Sequence, residues 1–256
     1  MHDPKISIIT VCYNAEKTIE EAIQSVHDQT YPNKEHIIID GASKDATLKI
    51  LSKYQTYFAK VISEPDEGIY HAMNKGLQQA TGDIVGFLNS DDSYYDDNVL
   101  EKIAKHFEKG KCDACYGDLI YVDPLNPKKV RRYWQAGEFE PGAFIKGWSP
   151  PHPTFYVKKE VYDTRGGFDL RYSMGNDIEL MMRFLEVAKL KVGYIPKVLV
   201  KMKLGGVSNQ SITNIIRQNQ QILLAAKNLN IPISFLKFFG YKILDRLQQI
   251  IKKPKR

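Results

Sequence analysis

The chain predicts an α/β fold, a mostly parallel, Rossmann-like sheet with helices on both faces, followed by a helical extension. Three observations carry this expectation. Short apolar runs alternate with segments of helical period from residue 6 to residue 91; the connections between them are short; and the last apolar run, Ile84-Val85-Gly86-Phe87-Leu88, leads into Asn89-Ser90-Asp91-Asp92. Strand ends of this kind carry the ligand sites of open α/β sheets.

Taken in order, residues 6–11 (Ile-Ser-Ile-Ile-Thr-Val) predict a buried first strand, and Tyr13-Asn14 a turn. A helix follows over 16–27 with Ile19, Ala22, Ile23 and Val26 on its inner face, the i, i+3, i+4, i+7 spacing of an amphipathic helix. Residues 35–39 predict the second strand, ending in Asp40-Gly41-Ala42-Ser43, and 45–54 a helix that Ser43 or Asp45 would cap. A short strand over 61–63, a helix over 68–80 and the strand ending at Asp91 complete the alternating half. Beyond it, a helix over 98–109 precedes strands over 114–121 and 130–133, a hairpin joined through turn residues Asp123-Pro124-Leu125-Asn126-Pro127. A strand over 154–157, a helix over 178–188, two strands over 192–195 and 198–202, and helix from 213 onward, split at Asn230-Ile231-Pro232, finish the reading. The organisation expected is a catalytic domain over 1–210, with halves 1–95 and 96–210, and a helical extension over 211–256.

A hydrophobic content of 43% and a charged content of 26% in 256 residues describe a globular chain large enough to bury a core. No apolar run of membrane-spanning length and no leader-like apolar segment occurs, so a cytoplasmic protein is expected. The net charge of +6 is concentrated: residues 233–256 hold seven cations against one acid, and residues 1–232 balance to zero. A neutral body with a basic tail argues against nucleic acid and for a local anionic surface. Cys12, Cys112 and Cys115 cannot all pair and fit a reducing compartment. The Cys112-Asp-Ala-Cys115 spacing leads into a strand rather than opening a helix, so a structural role is expected for it.

Two adjacent carboxylates repel unless a cation or polar ligand lies between them, and hard oxygen ligands suit Mg²⁺ or Mn²⁺ holding a phosphate. Neither a P-loop nor a dinucleotide-binding glycine turn occurs, so a different nucleotide fold is required. Thr10-Val11-Cys12-Tyr13-Asn14-Ala15-Glu16, Ile39-Asp40-Gly41-Ala42-Ser43-Lys44-Asp45, Asn74-Lys75-Gly76, Asn89-Ser90-Asp91-Asp92, Pro151-His152-Pro153-Thr154-Phe155, Asn176-Asp177-Ile178-Glu179 and Gly205-Gly206-Val207-Ser208 stand in that order. Together they resemble glycosyltransferase family 2, whose catalytic domain has the GT-A fold, and within it bacterial transferases that build O-antigen, capsule or other surface polysaccharides.

The resemblance implies a metal-dependent, inverting transfer of a sugar from a UDP-sugar to a saccharide acceptor, carried on polyprenyl diphosphate. It implies roles residue by residue: Tyr13 stacks on the donor base and Val11 contacts it through its backbone; Asp40 accepts the uracil N3–H; Asn74 lines the same pocket. Asp91 lies near the ribose, Asp92 holds Mg²⁺ or Mn²⁺ at the DxD-type position with Ser90 as its first letter, and Asp177 is the general base. Glu179 and His152 fall on the acceptor side. Ala42, Lys44 and Asn176 depart from the residues frequent in the family.

The tail over 233–256 has apolar residues at helical spacing with cations between them. It fits an anionic membrane surface, placing the protein on the cytoplasmic face of the inner membrane, or packing on the domain or on a second copy. A non-catalytic nucleotide-sugar sensor or membrane scaffold and a sugar nucleotidyltransferase stand as alternatives.

Overall fold

The computed structural model describes residues 3–110, 112–204, 212–234, 238–242, 244 and 249. The Gly205-Gly206-Val207-Ser208 motif and most of the basic tail lie outside the described residues. The first half runs β1 (Ile6–Cys12), α1 (Ile19–His27), β2 (Lys34–Asp40), α2 (Thr47–Lys53), β3 (Lys60–Ser63), α3 (Ile69–Gln79) and β4 (Ile84–Phe87). The second half runs β5 (Asp92–Tyr94), α4 (Val99–Gly110), β6 (Ala114–Asp123), β7 (Asn126–Trp134), β8 (Tyr156–Lys158), α5 (Lys159–Arg165), α6 (Asn176–Met182), β9 (Val192–Lys203) and α7 (Ile212–Asn228).

One sheet has the order β3-β2-β1-β4-β8-β6-β9-β5, with β7 paired to β6. The β3-β2-β1-β4 portion is parallel. The second half mixes directions, since β8 is antiparallel to β4 and β6 while β9 is parallel to β6. The pleat of β1 shows how both faces are covered. Ile9 and Val11 enter the cluster shared with Ala72 and Met73 of α3, whereas Ile6 and Ile8 enter the one holding Val99, Leu100 and Ile103 of α4. Alternate residues of a strand point to opposite faces, so a continuous apolar run is what a doubly covered strand requires. Gly76 lets α3 lie close on β1, because a Cβ there would come 2.4 Å from Cγ2 of Ile9.

α7 is not a detached appendage. It packs on α6, and its Ile222, Ala225 and Ala226 are buried in the main core. Phe238 of the tail joins the same cluster, and Gln249 is buried against Arg132, whose Nε donates to its Oε1 at 2.5 Å. Among the described tail residues Phe238, Lys242 and Gln249 thus contact the domain, while Tyr241 and Leu244 are exposed. Among the described residues no helix is long and apolar enough to cross a membrane. Cys112 and Cys115 are buried and free, and burial pushes both thiols up, the opposite of an activated redox pair.

β2 carries two buried titratable groups that make the fold acid-sensitive. Burial alone lowers His36 from 6.5 to about 3, with its Nε2 2.9 Å from Thr10 Oγ1. Burial raises Glu35, but the hydrogen bonds from Lys5, Ser7 and Thr81 outweigh it and hold the carboxyl at about 2 against 4.5. Below pH 6.5 the unfolded chain takes up a proton that native His36 refuses, and below 4.5 the same holds for Glu35. Both contributions are full at neutral pH and fade with acid. The melting temperature is expected to fall steadily from pH 6.5 towards 3, and His36→Asn to flatten the upper part of that decline. Scanning fluorimetry across the range checks this; an unchanged slope in the variant would remove His36 from the explanation.

Candidate active site

The C-terminal ends of β1, β2 and β3 build a polar shelf. Asn14, in the left-handed region with φ 49°, turns the chain after β1. Its backbone N–H donates to Ser43 Oγ at 2.8 Å, and its side-chain oxygen accepts the Lys44 N–H at 2.8 Å. The loops after β1 and β2 are thereby stitched into one unit. Val11 is buried at the strand end, while the ring of Tyr13 is 60% exposed beside Gly41. A side chain at Gly41 would meet this ring at 3.4 Å and Asp66 Oδ2 at 2.8 Å, so glycine here keeps a gap open between a flat aromatic face and a carboxylate.

Asp40 has a different occupation from the one its motif suggests. It is fully buried and accepts from Ser43 N at 3.0 Å, Ser43 Oγ at 2.5 Å and Ser63 Oγ at 2.6 Å, with Cys12 Sγ at 3.6 Å. Its two oxygens hold the loop. Asp66, half-buried after β3, is the carboxylate flanking Tyr13. The sequence reading passed over it, although its place after the third parallel strand is the signal that marked Asp40 and Asp91. Asn74 does not line the shelf: its Nδ2 donates to Phe168 O at 2.8 Å and its Oδ1 accepts the Phe168 N–H at 2.9 Å. It clamps α3 to the loop around Phe168, in the second half of the chain.

β4 ends at Phe87, and the next residues turn so that Asp92 N–H donates to Asn89 O at 3.1 Å. Asp92 then opens β5, antiparallel to β9, which fixes its side chain inside the protein. Burial, with the charge of Asp91 added, pushes the Asp92 carboxyl well above the ordinary range, and burial raises Asp91 as well. Asn89 Nδ2 donates to Asp92 Oδ2 at 3.1 Å, yet Asp92 Oδ1 and Asn89 Oδ1 are buried with no hydrogen-bond partner. Buried oxygen atoms are costly to leave unpaired. Two such acceptors beside a second carboxylate fit a hard divalent cation, which needs oxygen ligands. Among the described residues no group of three His, Cys, Asp or Glu side chains gathers into a metal cluster. A site of one or two carboxylates is what Mg²⁺ uses when substrate phosphates complete its shell.

An open cavity of about 240 Å³ has Asn89, Tyr70, His152 and Asp177 in its lining. Asp177 stands in the first turn of α6, which is capped by no side chain, its N-cap being Gly175 at φ 76°. The carboxylate is thus not used as a helix cap; its partner among the described residues is the Tyr70 hydroxyl, which donates to Oδ1 at 3.2 Å. His152 is buried between Phe87 and Phe168 with Nε2 unpartnered, and burial holds its pKa below the usual value while Asp177 pulls it back up. Glu179 faces elsewhere: it is buried and accepts from Arg183 Nε at 2.9 Å and Nη2 at 3.2 Å. Arg183 in turn donates to the carbonyls of Arg165, Gly166 and Gly167. Glu179 therefore supports the loop that Asn74 grips, which keeps α6 in place against α3.

The shelf with its exposed Tyr13 ring, buried Asp92 beside half-buried Asp91 with the charge of Lys203 acting on both, and the cavity that Asn89 and Asp177 line together make up the candidate site. The fold is that of the GT-A glycosyltransferases. It resembles Staphylococcus aureus TarS in complex with UDP-GlcNAc, with TM-score 0.65 and 16% identity over 96% of this chain and 81% of that one. It also resembles the mannosyltransferase PcManGT of Pyrobaculum calidifontis in complex with GDP-Man and Mn²⁺, with TM-score 0.66 and 20% identity over 96% and 70%. The model of glycosyl transferase family 2 matches residues 7–161, and the chain belongs to that family. Among its relatives are a PGL/p-HBAD biosynthesis glycosyltransferase of Mycobacterium bovis, 28% identical over 82% of this chain and 81% of the relative. EpsE of Bacillus subtilis, which carries a glycosyltransferase name, is 29% identical over 90% and 85%.

Proposed function

We propose that the protein is a metal-dependent inverting glycosyltransferase moving a hexose or N-acetylhexosamine from a UDP-sugar to a saccharide acceptor carried on polyprenyl diphosphate, in the making of a bacterial surface polysaccharide. The observation that carries this reading is Asp177, not used as a helix cap and in no ion pair among the described residues, sharing one cavity with Asn89, whose amide donates to Asp92. In an inverting transfer the acceptor hydroxyl attacks C1 from the face opposite the departing diphosphate, so its proton must be taken on that opposite face. Asp177 receives it. Asp92, with Asp91 and the Asn89 side-chain oxygen beside it, would hold a divalent cation, which would neutralise the charge that grows on the leaving diphosphate. An α-linked donor then yields a β-linked product. His152, with its unpartnered Nε2 in the same cavity, contacts the acceptor.

On the donor side Tyr13 stacks on the base, with Val11 beside it, and Asp40 fixes the loop beneath. The uracil N3–H is donated to Asp66, whose carboxylate borders the gap that Gly41 leaves open. Asp66→Asn is expected to weaken UDP binding roughly 10- to 100-fold, the worth of one charge-assisted hydrogen bond, at an unchanged melting temperature. Asp40→Asn is expected to lower the melting temperature instead. Titration calorimetry with UDP and a thermal melt separate the two; intact UDP affinity in Asp66→Asn would return the base contact to Asp40.

The whole reading is tested by incubating the protein with Mn²⁺ or Mg²⁺ and a panel of UDP-sugars, with GDP-mannose alongside, and measuring nucleotide release by slow hydrolysis. Release of UDP from one donor, lost on chelation, is expected. Metal-independent release, or release of GDP alone, would overturn the donor or cofactor part of the proposal.

A further inference from the structure

The β6–β7 hairpin stands apart from the neutral body. Between Asp123 and Trp134 it holds Lys128, Lys129, Arg131 and Arg132 against the single acid Asp123, a net of +3, and Asp123 is already bridged to Arg131. Residues 124–131 are all exposed, and Leu125 at the tip is 96% exposed. Val130 lies exposed behind it. An apolar tip flanked by lysines suits a lipid interface, where the alkyl group enters the acyl boundary and the cations stay at the headgroups; a nucleic acid would offer such a leucine nothing.

The base of the hairpin decides what such a contact would achieve. Tyr121, Arg132 and Trp134 line the cavity that holds Asp177, the Arg132 guanidinium lying 4.4 Å from the Tyr121 ring centre and 5.5 Å from that of Trp134. The opposite face of the hairpin is closed by Ile120, Val122, Tyr133 and Val198 packing together. One face thus runs from the cavity to the tip, and the nine residues of β7 span about 27 Å at roughly 3.3 Å per residue. Gln249, bonded to Arg132, brings a residue of the basic tail to this same side.

We propose that the β6–β7 hairpin docks on an anionic bilayer through Leu125, Lys128 and Lys129, setting the mouth of the Asp177 cavity towards the membrane so that the acceptor enters from the lipid surface. This rests on the reading of the cavity as the acceptor site and adds the element that faces the lipid. Docking needs both the apolar tip and the two lysines, since lysines alone would bind any polyanion and the leucine alone would not distinguish lipid charge.

Flotation of the full chain with phosphatidylcholine vesicles, with and without roughly 30% anionic phosphatidylglycerol to supply a negative surface, tests the proposal. The parent protein is expected to bind only the charged vesicles, and Leu125→Asp and the pair Lys128→Glu/Lys129→Glu each to bind them at least ~10-fold more weakly. Nucleotide release without vesicles is expected to be unchanged in all, with melting temperatures equal to the parent's. Absence of parent binding to charged vesicles, binding of either variant at the parent's level, or hairpin-dependent binding to a DNA duplex in place of vesicles would each overturn it. Hairpin-dependent vesicle binding with no release from any sugar nucleotide would instead leave the docking surface standing and sink the transferase reading.

Discussion

Asp177→Asn is expected to cut turnover about 10³-fold, within the range over which a positioned general base acts, while UDP affinity stays at the parent's value. The substitution keeps the size of the side chain and its acceptor oxygen for the Tyr70 hydroxyl, so α6 and the cavity keep their shape. What it removes is the ability to take a proton. The split matters because Asp177 could instead matter as a structural link between α3 and α6, two elements from different halves of the chain. That role belongs to the hydrogen bond, and Tyr70→Phe breaks the same bond while leaving the carboxylate. The expectation is a large kcat loss in Asp177→Asn and a small one in Tyr70→Phe, measured with the donor that the hydrolysis panel identifies. Comparable losses in both variants would make Asp177 a positioning residue and leave the base unassigned.

What was legible in the sequence, and what was not, follows the range of the interactions. The strands β1 and β4 announce themselves because each is buried on both faces and reads as a largely apolar run, β2 through Ile37-Ile38-Ile39, and α1 because its four buried residues repeat at helical spacing. The Asp91-Asp92 pair was visible for a local reason, two carboxylates at a strand end. β5 was not, since Asp92–Tyr94 is a strand only because β9, more than a hundred residues later, pairs with it. The two strands expected over 192–195 and 198–202 are one, β9, with an irregularity around Pro196 and Lys197 that a sequence reads as a break. α5 was missed, being a single polar stretch of seven residues without an apolar period long enough to register. The helix expected over 178–188 changes at Arg183 to a wider π-turn, where the guanidinium reaches back to Glu179 and to three loop carbonyls.

The same distinction runs through the site residues. Asn74, Asp40 and Glu179 carry motif letters, but the first two spend polar atoms on partners that the sequence cannot point to, the Phe168 backbone and Ser63, and Glu179 pairs at i, i+4 with Arg183, whose further reach to loop carbonyls is equally hidden. They hold the two halves and the loop in register. Asp66 shows the converse, a residue without a motif letter that the fold brings beside Tyr13 and Gly41.

Asp92 differs from all of these in that its environment costs stability. Its carboxylate is buried beside Asp91, one oxygen lacks any hydrogen-bond partner, and the nearby Asn89 oxygen is equally alone. A core evolved for stability alone would not keep such a group, because an unpaired buried acceptor costs about 1–3 kcal/mol and a second charge adds repulsion. Asp92→Asn is therefore expected to melt no lower than the parent in EDTA, and on the order of 2–4 °C higher for each kcal/mol relieved. The order should reverse when ligand is present. UDP with Mn²⁺ is expected to raise the melting temperature of the parent, as any ligand of the native state does, and to leave Asp92→Asn where it was. Turnover should fall about 10³-fold, since the cation that neutralises the leaving diphosphate would lose its buried anchor. A variant that melts lower in EDTA yet keeps its metal-dependent shift would show that Asp92 belongs to the scaffold, and the metal would then have to be sought at Asp91.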